Sequence, residues 1–590
     1  MFFRFMLKRI DIRVWLLLLF TAILSVVDIG GYYISHAAPW WQLAGLICFA
    51  ILKATVATAL VTIWPFMCRS ARPTGPGSPY GVWRIIHILL VILVSVAAIL
   101  SVVNGLSYFL YGFGISRKMV IIITETNSQE VREFIPWLLD SLRNSKPAMA
   151  ILLSVAVVAC IGIYYKFIRH KTALHTERSF REKSHPLQSI WVVLTLFTSM
   201  AGLLYGACFM LSAPWGKVNH FVIGRTLASA YSVAENMERV KELSEKNRPL
   251  PHSEVAKSRN LADKVVLVIG ESASKEHWSA YGYPLPTTPV IDSLLQSSGD
   301  LATFLFTGAA ASSTATSGNL PRILTFMSDK PDAGEWYDYP TLLQLFKAYG
   351  YTTTWLSNQE KSGKWSNLSG ILSSDADVVR YLGSIDSEDH LTERYDDILI
   401  PDFHQTYSSP DSLQLICLHL LGSHTEYDKR YPPERSRFTS DDILSIPETS
   451  LPKREWLNKR KARTVAEYDN SILFTDSILG LVIKEIERDT LPAVMVYLSD
   501  HGENVYDDRD FRGRDVNFTD VPFIIVANKA YTERNPEIMQ QLASSSHHSF
   551  STSSTIYMLI TLAGGSYPMY DEREDPLSSG FMERPVFRDN

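Results

Sequence analysis

Five long apolar runs dominate the first part of the chain, at 14–34, 42–67, 85–113, 148–167 and 190–211. Each has the roughly 20 residues that a helix needs to cross a bilayer. The pattern predicts a transmembrane domain of five helices over residues 1–212. The first run is long for a cleavable signal peptide and leads into Asp28, Tyr32 and Tyr33, so it reads as a retained anchor. Basic residues set the orientation. Arg4, Lys8, Arg9 and Arg13 precede the first run, Arg69, Arg72 and Arg84 follow the second, and Lys166, Arg169, Lys171, Arg178, Arg181 and Lys183 follow the fourth. The connection at 35–40 has no Lys or Arg. Because cytoplasmic loops carry the excess of positive charge, the N-terminus is placed in the cytoplasm. Everything after residue 212 then lies outside, which is the periplasm in a cell with two membranes. The expectation is a multi-pass protein of a bacterial inner membrane. The connection at 114–146, also outside, spaces Val131, Phe134, Ile135, Leu138, Leu139 and Leu142 as one apolar helix face. That face suits either a helix lying on the bilayer or one packed in a loop. Asp28 and Lys53 are intramembrane charges to which the sequence assigns no role.

The pattern changes after residue 212. Residues 213–260 read as a polar, helical bridge, and 261–590 as a soluble domain. There, short continuous apolar runs at 265–269, 352–356, 413–418, 494–498 and 522–526 read as strands. Helical periodicity holds at 341–349, 465–487 and 552–563. Continuous apolar strands alternating with helices predict an α/β domain whose mostly parallel sheet is covered on both faces. The Ser/His-rich stretch 544–554 reads as an exposed loop. A net charge of −5 gives no footprint for nucleic acid. Of five cysteines only Cys417 falls in the soluble part, so that part holds no internal disulfide.

In a parallel sheet, ligands bind beyond the carboxyl ends of the strands. The polar residues cluster at those ends: Glu271 after 265–269, Asp500 and His501 after 494–498, His419 and His424 after 413–418, and Asn358 after 352–356. Glu271, Asp500 and His501 together suit zinc, which takes carboxylate oxygen and imidazole nitrogen and keeps an open position when catalytic. Singly, each has a plainer reading as a cap or turn residue. The hydroxyl run Ser312, Ser313, Thr314, Thr316 and Ser317 reads alone as a solvated loop or helix start, and equally could supply a nucleophile beside a metal.

Six motifs, in order, resemble the phosphoethanolamine transferases of the alkaline phosphatase/sulfatase superfamily. They are Val-Ile-Gly-Glu-Ser at 268–272, Tyr-Gly-Tyr-Pro at 281–284 with Thr-Thr-Pro at 287–289, Ser-Thr-Ala-Thr at 313–316, Leu-His-Leu-Leu-Gly-Ser-His at 418–424, Tyr-Asp-Asn-Ser at 468–471 and Ser-Asp-His-Gly-Glu at 499–503. The resemblance covers nearly the whole chain, the five apolar runs included. It implies that Glu271, Thr316, Asp500 and His501 are zinc ligands and that Thr316 is the nucleophile. It places His419 and His424 near the phosphate or on a second zinc, and Asn358 and Lys361 against substrate. Thr126 and Glu130, in the outer connection, match an acidic segment that helps bind the lipid head group. The implied reaction is two-step transfer. Thr316 attacks phosphatidylethanolamine, diacylglycerol leaves, and an acceptor in lipopolysaccharide or another envelope glycan takes the group. His419 or His424 protonates the leaving group.

Two departures shape the acceptor. Lipid A enzymes flank the nucleophile with cysteines, where this chain has Ser312 and Arg322. They also place a late histidine where residues 509–520 have none, leaving Arg512 or Arg514 for that contact. The chain therefore resembles the disulfide-free branch acting on lipopolysaccharide core or other glycans. The rival readings are a phosphoglycerol transferase of the same superfamily and a non-catalytic membrane scaffold that kept the fold. A sulfatase is disfavoured, because no Cys/Ser-x-Pro-x-Arg motif surrounds Thr316 or Cys417.

Overall fold

The structure is a computed structural model of the chain. It describes residues 261–297, 299–330, 332–359, 368–383, 395–410, 413–451, 457–506, 519–584 and 586, and shorter stretches at 92, 96, 99–104, 106–107, 114–116, 119–120, 226–231, 234–235, 250 and 256–257. The chain divides into two compact units, Met1–Glu235 and Asn236–Asn590.

Of the five apolar runs, only part of 85–113 is among the described residues. There the polarity is the reverse of a helix in water. Ile92, Val96, Ile99 and Val103 are exposed while Ser101, Asn104 and Ser107 are buried. Two of these buried groups are bonded within the unit: Asn104 Oδ1 accepts from Ile115 N–H at 2.7 Å, and Ser107 Oγ donates to Val103 C=O at 2.9 Å. Among the described residues no helix is long and apolar enough to cross a membrane.

The second unit is built on a seven-stranded sheet. In chain order its strands are β1 (Lys264–Gly270), β2 (Ala302–Phe306), β3 (Thr352–Ser357), β4 (Val378–Tyr381), β5 (Gln414–His419), β6 (Ala493–Ser499) and β7 (Phe523–Ala527). Their spatial order is β2-β7-β6-β1-β5-β3-β4. The run from β6 to β4 is parallel, while β7 is antiparallel to both β6 and β2. The mostly parallel sheet expected from the sequence is thus present, with one reversed strand. β1 is the centre, paired in register with β5 and β6, so Ile269 lies opposite both His419 and Leu498.

Central strands are apolar on both faces because helices cover both. Val265, Leu267 and Ile269 point into one core layer with Cys417, Val496 and Phe523, under α3 (Leu342–Ala348) and α6 (Thr555–Ala563). Val266 and Val268 point into the other with Ile416, Met495 and Tyr497, under α4 (Leu399–Tyr407) and the long α5 (Lys459–Arg488). Two shorter helices matter below, α1 (Pro289–Gln296) and α2 (Thr316–Leu324). Caps fix the helix starts: Thr341 and Gln344 form a capping box on α3, and Asn458 accepts from Lys461 N–H on α5.

The stretch 544–554 is the largely exposed segment that its composition suggests only as far as Ser549; from Phe550 on it is buried. Ser549–Ser551 pairs with Gly308–Ala310, and Thr552–Ser554 is a buried turn of helix. Inside, Ser551 Oγ bonds Ser312 Oγ at 2.7 Å, while the buried Thr552 hydroxyl makes no hydrogen bond and its carbonyl accepts from Thr555 Oγ1 at 2.7 Å. Local side-chain bonding lets a polar run be buried at little cost. Cys417 is free and buried, and burial pushes its thiol pKa far up, so it is an inert core residue.

Candidate active site and metal centre

Each carboxyl end of the central strands delivers one part of the site. Glu271 follows β1, and Asp500 and His501 follow β6. All three are buried, and their ligand atoms lie within 4.8 Å of one another. His501 Nε2 stands 3.2 Å from Glu271 Oε1 and 3.7 Å from Asp500 Oδ2. The other ring nitrogen, Nδ1, is 2.7 Å from Gly502 C=O. A ring nitrogen facing a carbonyl carries the proton, which leaves the Nε2 lone pair directed at the carboxylates.

Asp500 Oδ1 accepts from the N–H groups of Ser272 and His501 at 3.1 and 2.7 Å. Its Oδ2 is buried without a well-aligned hydrogen-bond donor, the Thr316 hydroxyl acting on the carboxyl only as a minor, pKa-lowering neighbour. Burial, together with the negative charge of Glu271, pushes the Asp500 carboxyl well up. Two buried carboxylates and an imidazole lone pair, one oxygen lacking a well-aligned donor, form a poor arrangement for a closed core and a good one for a dication. The donor set of two oxygens and one nitrogen fits zinc with a position open.

Thr316, half-buried at the start of α2, donates Oγ1 to Glu271 Oε2 at 2.9 Å. His419 ends β5 and is buried. Its Nδ1 is 3.4 Å from Ser369 Oγ, its Nε2 makes no hydrogen bond, and its ring packs edge-on to Trp355. Burial holds His419 down to about 4, so it is neutral at neutral pH. His424 is half-buried on the following loop, and neither histidine joins the three-residue cluster. Asn358, at the end of β3, is buried and turned to Asp396, to which it donates at 2.9 Å. Asp396 in turn receives the N–H groups of Leu421 and Gly422 at 2.8 and 2.9 Å, so Asn358 braces the loop carrying His424. Lys361, Thr126, Glu130, Arg512 and Arg514 lie outside the described residues.

Around the cluster the backbone is held tightly. Ser272 has φ 56°, a left-handed conformation costly for a non-glycine residue. It is pinned by Asp500 and by Tyr468, whose hydroxyl donates to Ser272 C=O at 2.7 Å and accepts from Ser274 N–H at 2.8 Å. Gly422 has φ +53°, and a Cβ there would lie 2.8 Å from the Glu271 backbone. Only glycine fits.

The 468–471 motif acts as a comb along α5. Tyr468 holds the turn after Glu271. Asp469 accepts from His277 Nδ1 at 2.6 Å and from Tyr283 OH at 2.7 Å. Asn470 holds the backbone at 437–438, and Ser471 Oγ donates to Ser423 Oγ at 2.9 Å. Reading the sequence missed Gln359, whose amide reaches Glu271 Oε2 at 3.4 Å and Leu420 C=O at 3.0 Å. Its place one residue after Asn358 at a strand end was the available signal.

Comparison with known proteins gives the family of this fold. A model of the family described as Sulfatase matches residues 263–558. The phosphoethanolamine transferase EptC of Escherichia coli is 25% identical over 501 residues, covering 81% of this chain and 80% of the relative. The crystal structure of the C-terminal periplasmic domain of EptC from Escherichia coli, in complex with Zn, is 27% identical with a TM-score of 0.50, covering 57% of this chain and 92% of that one. The integral membrane protein lipooligosaccharide phosphoethanolamine transferase A from Neisseria meningitidis aligns over 97% of this chain and 98% of its own, with a TM-score of 0.60 at 19% identity. That last likeness is one of fold.

Proposed function

The chain belongs to the sulfatase family, and we propose that within it the chain is a membrane-bound, zinc-dependent phosphoethanolamine transferase. The observation that carries this reading is the Thr316 hydroxyl, bonded to Glu271 at 2.9 Å beside Asp500 and His501. A hydroxyl among buried carboxylates at strand ends supports a role in nucleophilic attack on phosphorus. Glu271, Asp500 and His501 would hold the zinc, with Thr316 in the open position. Bound there, zinc supplies Lewis acidity that lowers a hydroxyl pKa and polarises phosphoryl oxygens.

The donor is phosphatidylethanolamine. Thr316 Oγ1 attacks its phosphorus in line, and the bond to the diacylglycerol oxygen breaks. Phosphoethanolamine stays on Thr316. His419, neutral at the working pH, can hold a phosphoryl oxygen through its one N–H but has no second proton to give, which leaves His424 to protonate the leaving oxygen. A hydroxyl or phosphate of lipopolysaccharide, in its core or lipid A, or of another envelope glycan then attacks the phosphothreonine and regenerates Thr316. Positioning and charge neutralisation provide most of the rate, as in phosphoryl transfer generally.

Two further observations support the setting. Relatives and neighbours carry names for phosphoethanolamine transfer, an integral membrane protein and a lipooligosaccharide acceptor. The exposed stripe of Ile92, Val96, Ile99 and Val103 over a buried polar face is the pattern of a helix facing lipid. Five such helices over residues 1–212 would anchor the catalytic domain on the periplasmic side of the inner membrane. Thr126, Glu130, Asn358 and Lys361 complete the proposed substrate contacts, Asn358 through the loop it braces. The test is mass spectrometry of lipopolysaccharide and periplasmic glycans from cells with and without the protein. An added phosphoethanolamine only in its presence supports the reading. An added phosphoglycerol, or no addition with diacylglycerol unreleased, overturns it.

A further inference from the structure

The hydroxyl-rich run before α2 is shaped by one side chain. Asn319 lies in the first turns of α2 and is fully buried. Asparagine is a weak helix former because its amide competes for nearby backbone groups. Here it does so three times. Oδ1 accepts from Ser313 N–H at 3.0 Å, and Nδ2 donates to the carbonyls of Ser313 at 2.6 Å and Ala315 at 3.1 Å. Both backbone groups of Ser313 are closed on this amide. The Ala315 carbonyl, which also accepts from the N–H groups of Gly318 and Asn319, is fixed one residue ahead of Thr316.

The fold-back is tight. A Cβ at Gly318 would lie 2.3 Å from Ser313 Oγ. Arg322, itself buried, donates Nη1 to Gly318 C=O at 2.6 Å from the next turn. No side chain caps α2 from its N-cap residue, Ala315. Asn319 therefore ties the approach segment from inside the helix, where a cap would tie it from outside.

We propose that Asn319 is a positioning residue for phosphoryl transfer, setting the 313–316 backbone so that Thr316 Oγ1 meets Glu271 and the phosphorus in line. The inference rests on Thr316 being the attacking group. A plain packing role makes a different prediction, and Asn470 supplies the comparison. It is also buried, accepts from Arg437 and Phe438 N–H at 2.8 Å each, and donates to Phe438 C=O at 2.9 Å, all remote in sequence from Thr316.

The experiment uses the full-length, zinc-loaded protein in detergent with a fluorescent phosphatidylethanolamine, reading released diacylglycerol, zinc content and thermal unfolding. Asn319→Ala, Asn319→Asp and Asn470→Ala are compared. Asn319→Asp keeps the acceptor for Ser313 N–H and loses both donors. Both Asn319 variants should lower kcat by about 100-fold, the scale of an ångström's misplacement of a reacting group. Their KM should stay within about twofold, the split expected when only transition-state geometry is lost. Zinc content should stay at the wild-type level. Asn470→Ala should lose stability and keep kcat. If Asn319→Ala does not accumulate as folded protein, Asn319→Asp carries the comparison. Equal kcat in the Asn319 and Asn470 variants, or a fall in zinc matching the fall in kcat, overturns the proposal. Retained release in Thr316→Ala would instead overturn the reading beneath it.

Discussion

Two buried clusters in the second unit both set Asp beside His and differ in how their lone pairs are used. Glu271, Asp500 and His501 stand beyond the strand ends, and Asp469, His277 and Tyr283 lie in the layer between the sheet and α5. In the second cluster every acid oxygen has a donor: His277 at 2.6 Å on Oδ1 and Tyr283 at 2.7 Å on Oδ2. The His277 ring is enclosed by Tyr283, Tyr468 and Tyr506. In the first cluster Asp500 Oδ2 has no well-aligned donor, and burial with a neighbouring carboxylate pushes the Asp500 carboxyl well up. Asp469 is also raised by burial, but His277 and Tyr283 pull it back. A closed hydrogen-bond triad holds structure, whereas an open set of like charges marks a place for something else. The presence of His and Asp is therefore less informative than whether their lone pairs are already spent.

That contrast breaks down if the two clusters respond alike to mutation. The largest expected effect is at the open cluster. His501→Ala should drop bound zinc well below one per chain, by elemental analysis, and reduce transfer to background, while the domain still unfolds cooperatively. Asp469→Ala should do the reverse. Removing one partner from a buried pair costs about 3–5 kcal/mol of stability, and zinc per folded chain should remain unchanged. Chemical denaturation with parallel zinc measurement distinguishes the two.

A third histidine sharpens the comparison. His419 is buried like His277 but lacks a carboxylate partner, and burial lowers it from 6.5 to about 4. Between those values the unfolded chain takes up a proton that the folded chain refuses. Stability therefore falls as pH drops through this window, by about 1.4 kcal/mol per pH unit for one group. His419→Gln should flatten that part of the profile by the same slope, read from denaturation curves at successive pH values. The smallest effect is Tyr283→Phe. It leaves Asp469 with His277 alone and should cost about 1–2 kcal/mol, with activity per folded molecule unaltered.

Much of this was legible in the sequence, for identifiable reasons. The central strands are apolar on both faces and end in polar residues, so their existence and the residues at their tips could be read directly. The two edge strands, Ala302–Phe306 and Val378–Tyr381, could not. They are half-exposed and short, with no more than three consecutive apolar residues. Periodicity carries no direction, so the reversal of β7 was invisible. The end of the run 544–554 was misread because composition reports hydroxyls and not the partners that bury them. Asn319, Gln359 and Asp396 escaped because each works through a contact that the fold creates. Asp396 lies 38 residues from Asn358 and 26 from Gly422. The Tyr-Asp-Asn-Ser motif stood out as a pattern, but its function as a comb depends on contacts up to 196 residues away.

The most direct test of the account is to catch the intermediate. Zinc-loaded protein is incubated with phosphatidylethanolamine and no acceptor, quenched, digested and sequenced by mass spectrometry. Phosphoethanolamine should appear on Thr316 and on no other residue, formed as diacylglycerol is released and absent in Thr316→Ala. Modification of Thr314 instead, or stoichiometric diacylglycerol release with Thr316 unmodified throughout, would contradict it.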